Sequence, residues 1–287
     1  MNHIRALIVS FLLIGILFSS CDLINPPETI PSYIRVDTFK VEVSDFDQGS
    51  SSHYITVCYI SVGGDNLGVF EMPFTVPSLE TGLKTITIRP GIKLNGIAAS
   101  RIDYPFFEPY IIDLELHREE IHIIEPITTY KESCVFPWME NFEDPGISFT
   151  HAEYSDTIFV NQNELVKEGR YSGAIFLDHD MEIFEAVSSG KYELPKDGGP
   201  AILEFDYKNN NGFEVGMYLL EEGLSEWYGL VYINPSTRWK RFYVDVGLTA
   251  RTKPSTEFFK MGIRAFPEPQ NNDATEIYLD NIKLIHF

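Results

Sequence analysis

Ala201-Ile-Leu-Glu-Phe-Asp-Tyr-Lys-Asn-Asn-Asn-Gly-Phe-Glu-Val-Gly-Met-Tyr-Leu219 is the stretch that decides the fold. In its first half, apolar side chains at positions 203, 205 and 207 alternate with Glu204 and Asp206, and side chains two residues apart share a face of a β-strand. The second half repeats this alternation at positions 213, 215, 217 and 219. Between the halves, residues 208–212 are rich in Asn and end in Gly, which is typical of a turn. The stretch therefore predicts two strands of a sheet joined by a turn.

The same signals recur on both sides of this stretch. Strand-like segments separated by turns return at intervals of about a dozen residues, which favours an all-β sandwich. The further strands predicted here are residues 171–178, 227–233, 239–246, 258–266 and 277–285. In the last of them the apolar side chains change from odd to even positions, so we expect a β-bulge at Asp280-Asn281.

The same alternation of side chains and the same turn signals predict a separate, smaller unit over residues 33–130. Segments 53–62, 83–89 and 110–116 are rich in β-branched and aromatic residues, and none of the apolar runs reaches the length of a helix. The pattern predicts an antiparallel sandwich of about seven strands, of immunoglobulin-like or transthyretin-like kind. The chain is thus expected to be all-β, with one sandwich over residues 33–130 and a second over residues 131–287.

The first residues of the chain are typical of a processing segment. Arg5 precedes an apolar run over residues 6–18, which at about 13 residues is shorter than the roughly 20 needed to cross a membrane but suits a signal peptide. Ser19 and Ser20 then precede Cys21, and Phe18 stands where Leu is usual.

This ending resembles the lipobox of bacterial lipoproteins, in the relaxed form found in Bacteroidota. The resemblance implies removal of residues 1–20, lipid on Cys21, and a proline-containing tether over residues 21–32 that holds the protein to the outer membrane. Whether the protein faces the periplasm or the cell surface is left open. The alternative is an ordinary secretory signal followed by an unmodified cysteine.

The charge of the chain excludes some partners. The net charge is −20, and removal of residues 1–20 changes it to −21. Nucleic acid and anionic lipid both require basic patches, so neither is expected as a partner. Beyond Cys21, only Cys58 and Cys134 remain; they form either a disulfide in an oxidising compartment or separate thiols.

Three segments of the second half resemble jelly-roll carbohydrate-binding modules and galactose-binding-like domains. They are residues 141–144 (Asn-Phe-Glu-Asp), 238–240 (Arg-Trp-Lys) and 277–284 (Ile-Tyr-Leu-Asp-Asn-Ile-Lys-Leu). The resemblance implies a jelly-roll fold for residues 131–287. It also implies a structural calcium ion held by Glu143 and Asp280, since calcium prefers carboxylate and carbonyl oxygens.

A glycan site needs aromatic rings on which the C–H face of a sugar can pack, with polar groups beside them. The candidate rings are Trp227, Tyr228, Tyr232 and Tyr218, with Arg241, Glu214 and Asn234 as polar partners. In an unbroken strand Tyr228 and Tyr232 share one face and Trp227 lies on the other. Since one of these faces must belong to the core, only part of the set is expected to bind a ligand.

Motifs of zinc peptidases, serine hydrolases and phosphate-binding loops were sought in the sequence and not found. The sequence therefore predicts no enzyme. It predicts a non-catalytic, lipid-anchored outer-membrane protein that binds a glycan or another envelope ligand through its jelly roll. The alternative is a structural or assembly subunit of an envelope protein complex, without a sugar site. The two functions predict different surfaces. A glycan-binding protein would have aromatic rings along an exposed sheet face, whereas an assembly subunit would bury those rings and expose apolar area at an edge.

Overall fold

The structure, a computed structural model, describes residue 4 and residues 29–287, apart from residues 98, 179, 222–223 and 269–273. Cys21, nearly all of the predicted signal segment 1–20 and most of the tether 21–32 lie outside the described residues. In the described part, no helix has the length and apolar character needed to span a membrane.

In its described residues, the N-terminal sandwich contains ten strands where about seven were expected. They are β1 (Ser32–Val36), β2 (Lys40–Val41), β3 (Val57–Val62), β4 (Asp65–Glu71), β5 (Phe74–Ser78), β6 (Gly82–Lys93), β7 (Arg101–Asp103), β8 (Tyr110–Leu116), β9 (Ile121–Ile124) and β10 (Ile127–Thr128). Single 3-10 turns span Phe46–Gln48 and Leu94–Gly96.

These strands form three sheets, ordered β4-β3-β6-β7 with β8 also on β6, β5-β1-β9, and β10-β2. The all-β prediction is confirmed. The expectation of purely antiparallel pairing is wrong, because β1 pairs with β9 in parallel and β10 pairs with β2 in parallel. Both pairs join the first residues of the sandwich to its last ones, a long-range contact that the local alternation of side chains does not indicate.

The part of the C-terminal sandwich that the structure describes contains eleven strands and a short helix. The strands are β11 (Val135–Glu140), β12 (Phe149–His151), β13 (Val160–Gln162), β14 (Ser172–Leu177), β15 (Phe184–Ser188), β16 (Ala201–Asn209), β17 (Phe213–Glu221), β18 (Leu224–Ile233), β19 (Ser236–Asp245), β20 (Phe258–Ala265) and β21 (Thr275–His286), and the helix α1 is Gly247–Thr252. One sheet has the order β13-β14-β21-β16-β19, with β11 on β21, and the other has the order β12-β15-β20-β17-β18.

The core of this sandwich lies between the two sheets. Leu203 and Phe205 of β16 pack in one cluster with Phe213, Val215 and Met217 of β17, as their alternation predicts. The bulge expected in the last strand is confirmed, since the pairing of β21 with β16 shifts between Lys283 and Asp280.

The outer face of the β16–β21 sheet is covered by the N-terminal sandwich, and we call it the covered face. Ile202, Tyr243 and Ile285 on this face belong to the same buried cluster as the core of the N-terminal sandwich. As a result, seven consecutive residues of β16, Ala201 to Tyr207, are buried on both sides of the sheet. The two sandwiches therefore share buried apolar surface and are not joined by the linker alone.

Four charged side chains lie within this interface, and we call them the buried ion cluster: Glu204, Asp206, Arg241 and Lys283. Arg241 donates to Glu204 at 2.5 Å and to Asp206 at 2.9 Å, and all three side chains are 1% exposed. From the N-terminal sandwich, Tyr104 and Tyr130 donate to Glu204. Buried charges are tolerated when they are paired and hydrogen-bonded in this way.

The remaining cysteines are separate thiols. Cys58 is fully buried in the N-terminal core, and Cys134 lies partly buried near the linker with its Sγ close to the carbonyl of Phe106. The sequence left open a disulfide between Cys58 and Cys134 or two separate thiols, and the structure has separate thiols.

Candidate functional site

The outer face of the β12-β15-β20-β17-β18 sheet carries rows of side chains that cross the strands, and we call it the open face. In an antiparallel sheet, residues directly opposite each other point to the same side. The first row is Glu185, Arg264, Glu214 and Tyr232, contributed in order by β15, β20, β17 and β18. The second is Val187, Gly262, Gly216 and Gly229, and the third contains Lys260, Tyr218 and Trp227.

A bulge in β18 decides which rings share this face. Val215 pairs with Val231 while Gly216 pairs with Gly229, so the register shifts by one residue between them. Each bulge reverses the side-chain alternation beyond it. Trp227 and Tyr232 therefore lie on the same face.

The prediction that Tyr228 shares a face with Tyr232, with Trp227 opposite, is wrong for this reason. Tyr228 pairs with Met217, whose side chain is in the core. Tyr228 is thus on the inner side of the sheet at its edge, where it remains 38% exposed and has the Lys253 amine 5.5 Å from its ring.

Trp227 lies across a floor made of glycines. A Cβ atom on either Gly216 or Gly262 would collide with the six-membered ring of the indole. Glycine in a strand often marks such a close approach of a ring or ligand to the backbone. The absence of side chains on two adjacent strands therefore lets the indole lie flat over the sheet.

Three neighbours hold the indole of Trp227, two at its sides and one over its ring. Its Nε1 donates to a carboxylate oxygen of Glu214 at 3.2 Å. The ring of Tyr218 meets it edge-on with a centroid separation of 5.6 Å. The guanidinium carbon of Arg264 lies 4.1 Å from the centroid of the indole, within the range of a cation–π interaction.

Glu185 links Arg264 of the first row to two tyrosines outside the row. Its carboxylate accepts from Tyr154 at 2.6 Å, from Tyr218 at 2.5 Å, and from the Nε of Arg264. Burial acts to raise the pKa of Glu185, but the hydrogen bonds from Arg264 and the two tyrosines outweigh it and lower the pKa below its ordinary value. Glu185 is therefore ionised at neutral pH and fixed by three donors.

Two tyrosines remain exposed at the ends of the first row. Tyr154 lies beside Glu185 and is 54% exposed, and Tyr232 at the other end is 53% exposed. The hydroxyl of Tyr232 donates to Glu268 at 2.7 Å, which fixes the direction of its ring. The open face thus has a rigid polar centre between two accessible rings.

The predicted site residues divide between the two faces of the sandwich. Trp227, Tyr218, Tyr232 and Glu214 come together on the open face. Arg241 does not: it belongs to the buried ion cluster on the opposite sheet, so its assignment as a ligand-binding residue is wrong. Asn234 lies in the exposed turn between β18 and β19, and its carbonyl is 3.5 Å from the Asn209 side chain.

Tyr154, Glu185, Arg264 and Glu268 belong to the open face and were not predicted. Arg264 lies on the strand predicted over residues 258–266, whereas the strand that carries Glu185, Phe184–Ser188, was not predicted. Their proximity depends on the strand order β15-β20-β17, which joins segments far apart in the chain. Only the pairing of strands could have placed them beside Trp227.

The residues predicted to bind calcium do not fit a cation site as they are arranged. Glu143 accepts from the backbone N–H groups of Arg170 and Tyr171. Asp280 accepts from the N–H groups of Lys167 and Glu168. A carboxylate oxygen that faces N–H groups faces partial positive charge, which repels a cation. Among the described residues, moreover, no group of three or more His, Cys, Asp or Glu side chains is gathered to hold a metal.

We therefore expect the thermal unfolding midpoint of the full chain to be the same in excess calcium and in chelator. A cation that binds only the folded state would raise the midpoint by mass action. Differential scanning calorimetry checks this directly. A midpoint that rises with calcium in the wild type but not in Asp280→Asn would contradict the expectation and locate the ion.

No family model matches the sequence, and no curated protein matches it. Solved structures with a similar fold include carbohydrate-binding modules from the β-sandwich superfamily, at 13% identity over 80% of this chain and 85% of that chain, with a TM-score of 0.35. The family 22 module of Clostridium thermocellum Xyn10B is 11% identical over 52% of this chain and 92% of its own, with a TM-score of 0.35. A family 29 module in complex with mannohexaose is 13% identical over 53% and 91%, with a TM-score of 0.35. Similarities this distant assign the chain to none of these families.

Proposed function

We propose that this protein binds a glycan, without chemistry, on the open face of its C-terminal sandwich. The observation that carries the proposal is the fixed group of side chains around the indole of Trp227, which lies on a glycine floor with the guanidinium of Arg264 against its ring, between the exposed rings of Tyr154 and Tyr232. Rings packed in this way offer C–H-binding surface next to fixed hydrogen-bonding groups, which is the combination that a sugar requires.

The open face is organised before any ligand arrives. The side chains of Glu185, Tyr154, Tyr218 and Arg264 are already linked by hydrogen bonds. Side chains that are fixed in advance lose little conformational entropy on binding, so more of the contact energy contributes to affinity. An open, rigid face of this kind favours recognition of an extended ligand.

The same contacts argue for binding over hydrolysis. A glycosidase needs one carboxyl group with a raised pKa to protonate the leaving group. Glu185 has a lowered pKa because three donors stabilise its ionised form. Glu214 accepts from the indole of Trp227, and Arg264 lies between the two carboxylates in the row.

The membrane anchor belongs to the same proposal. Cys21 receives lipid, residues 1–20 are removed, and the tether 21–32 holds the sandwiches at the outer membrane of a Bacteroidota-type cell. Loss of the protein from the membrane fraction in Cys21→Ala, together with loss of labelled lipid, would support the anchor; retention of Cys21→Ala in the membrane would contradict it.

A second candidate function, an assembly subunit of an envelope complex, has one observation in its favour. Ile121 and Ile123 are 58% and 65% exposed on β9, which is an edge strand of its sheet. Exposed apolar side chains on an edge strand suit contact with another protein. The glycan proposal is preferred because the open face combines rings with oriented polar groups, and the β9 edge offers only aliphatic surface.

The full chain is expected to bind on a glycan array, and Trp227→Ala is expected to lose at least about tenfold in affinity, since stacked rings dominate such contacts. Tyr228→Ala is the matched control: it removes a neighbouring ring of the same strand that points to the other side of the sheet. Equal losses in both variants, or no binding by a folded wild type, would contradict the proposal.

A further inference from the structure

We propose that the open face selects an uncharged glycan chain laid across the strands and rejects glycans that bear carboxylate or sulfate groups. The inference rests on the proposed function and specifies the class of glycan. It follows from two features of the open face. One is the position of the charged side chains along the first row, and the other is the direction in which the rings of Tyr154 and Tyr232 are aligned.

Arg264 stands at the centre of the open face, where a guanidinium would ordinarily bind an acidic sugar. Here two of its nitrogens, Nε and Nη2, already face partners within the protein. Its Nε donates to Glu185, whose side chain is 2% exposed, and its Nη2 lies 3.5 Å from the Tyr218 hydroxyl. The guanidinium also stacks against Trp227. Arg264 therefore supports the ring, and its positive charge is offset by the charge of Glu185.

The other two carboxylates near the row carry uncompensated charge. Glu214 accepts from the indole N–H of Trp227, and Glu268 accepts from the hydroxyl of Tyr232 and the N–H of Gly212. All of these donors are neutral, and neither carboxylate is in an ion pair among the described residues. A glycan with carboxylates placed beside Tyr232 would meet two negative charges in a protein whose net charge is −20.

One further cation faces the same side of the sheet. Lys260 lies in the third row, two residues along β20 from Arg264, and its amine is 3.3 Å from the carbonyl of Ser189. It is thus directed toward β15, away from Glu214 and Tyr232 on β17 and β18. The half of the row that ends at Tyr232 remains acidic.

The two accessible rings define the direction of the chain. Tyr154 and Tyr232 flank the ends of the first row, which crosses β15, β20, β17 and β18. Three steps between neighbouring strands place Glu185 and Tyr232 about 14 Å apart, a length that accommodates about three sugar units in an extended chain. A chain that contacts both rings must pass over Arg264 and Glu214 between them.

Affinity electrophoresis of the full chain tests this selectivity with named polysaccharides. The neutral probes are hydroxyethylcellulose, galactomannan and arabinoxylan, and the acidic probes are carboxymethylcellulose, polygalacturonate and alginate. We expect at least one neutral gel to retard the protein and every acidic gel to bind at least tenfold more weakly. Preferential retardation in an acidic gel would overturn the inference and leave glycan binding itself intact. A folded protein that no gel retards, and that also gives no signal on the array, would instead overturn the proposed function.

Charge variants identify the source of the selectivity. Glu185→Gln releases the guanidinium of Arg264, so binding to the acidic gels is expected to rise several-fold. Glu268→Gln removes the charge beside Tyr232 and keeps an oxygen that can accept from the N–H of Gly212 and the hydroxyl of Tyr232. It is expected to raise this binding as well, and the gain should fall with added salt. Glu226→Gln is the matched control, because it removes the same charge from β18 but pairs with the core residue Leu219 and lies on the other side of the sheet. Equal gains in all three variants would contradict a local effect of the row.

Discussion

Arg241→Met is expected to lower the free energy of unfolding of the full chain by about 3–5 kcal/mol, the typical cost of breaking a buried ion pair by removing one partner. The substitution leaves Glu204 and Asp206 side by side without their shared cation, and both side chains are 1% exposed. Water does not reach them, and Lys283 alone remains to offset the charge of two carboxylates. Chemical denaturation followed by fluorescence measures the change.

Arg89→Met provides the matched control for this variant. Arg89 pairs with Asp103 on the surface of the N-terminal sandwich, where both side chains are 42% exposed. Exposed pairs contribute about 0–1 kcal/mol, so this variant should be nearly neutral. Similar losses in Arg241→Met and Arg89→Met would contradict the role assigned to the buried ion cluster.

The effect of Arg241→Met should also depend on pH in a defined direction. Burial acts to raise the pKa of Glu204, but Arg241 and Lys283 outweigh it and hold the pKa below its ordinary value of 4.5. The stability that Glu204 contributes in the wild type is therefore present above pH 4.5 and lost as the pH falls through the lowered pKa. In Arg241→Met the effect of burial dominates, and protonation of Glu204 becomes favourable. The difference in free energy of unfolding between wild type and variant should therefore shrink as the pH falls from neutral toward 4.5.

The C-terminal sandwich alone, residues 131–287, is expected to be less stable than the same sandwich in the full chain by about 5 kcal/mol. Separation exposes Ile202, Tyr243 and Ile285, which the N-terminal sandwich now buries. Burial of one large apolar side chain contributes about 1.5–3 kcal/mol, and three such side chains account for the expected loss. Urea unfolding of the fragment and of the full chain, followed by near-ultraviolet circular dichroism, measures the difference.

The same contacts predict that the full chain unfolds in one transition, since neither sandwich keeps its buried surface when the other unfolds. A fragment of residues 131–287 with the same unfolding midpoint as the full chain, together with two separate transitions in the full chain, would contradict a shared core. The two sandwiches would then be independent domains, as their sequence boundaries alone suggest.

The alternation of side chains predicted the longer strands of the C-terminal sandwich, β14 and β16 to β21, and missed the shorter strands β11, β12, β13 and β15. In β21, the apolar positions change parity between Leu279 and Ile282, and the structure has its bulge at that point. β18 carries a bulge too, but it is an edge strand whose two faces are both rich in rings and aliphatic residues. Its apolar side chains therefore do not change from odd to even positions in a way that indicates the bulge. For this reason the placement of Trp227 relative to Tyr232 could not be predicted.

The covered face was not predictable from local pattern for a different reason. Glu204 and Asp206 alternate with apolar residues as solvent-facing side chains do, so nothing local distinguishes them from exposed acids. Their partners are Arg241, 35 or more residues away on β19, and tyrosines of the N-terminal sandwich that lie farther still. Glu185 and Arg264 are also far apart in sequence, at 79 residues, and this separation explains why half of the open face was missed.

The most direct test of glycan binding on the open face is hydroxyl-radical footprinting of the full chain, with and without the glycan selected by the array. Tyr154 and Tyr232 are 54% and 53% exposed on the open face, while Tyr228 at 38% and Tyr54 at 46% are exposed elsewhere. Bound glycan is expected to protect Tyr154 and Tyr232 from oxidation and to leave Tyr228 and Tyr54 unchanged. Protection of Tyr228 or Tyr54, with Tyr154 and Tyr232 oxidised as in the free protein, would contradict the account.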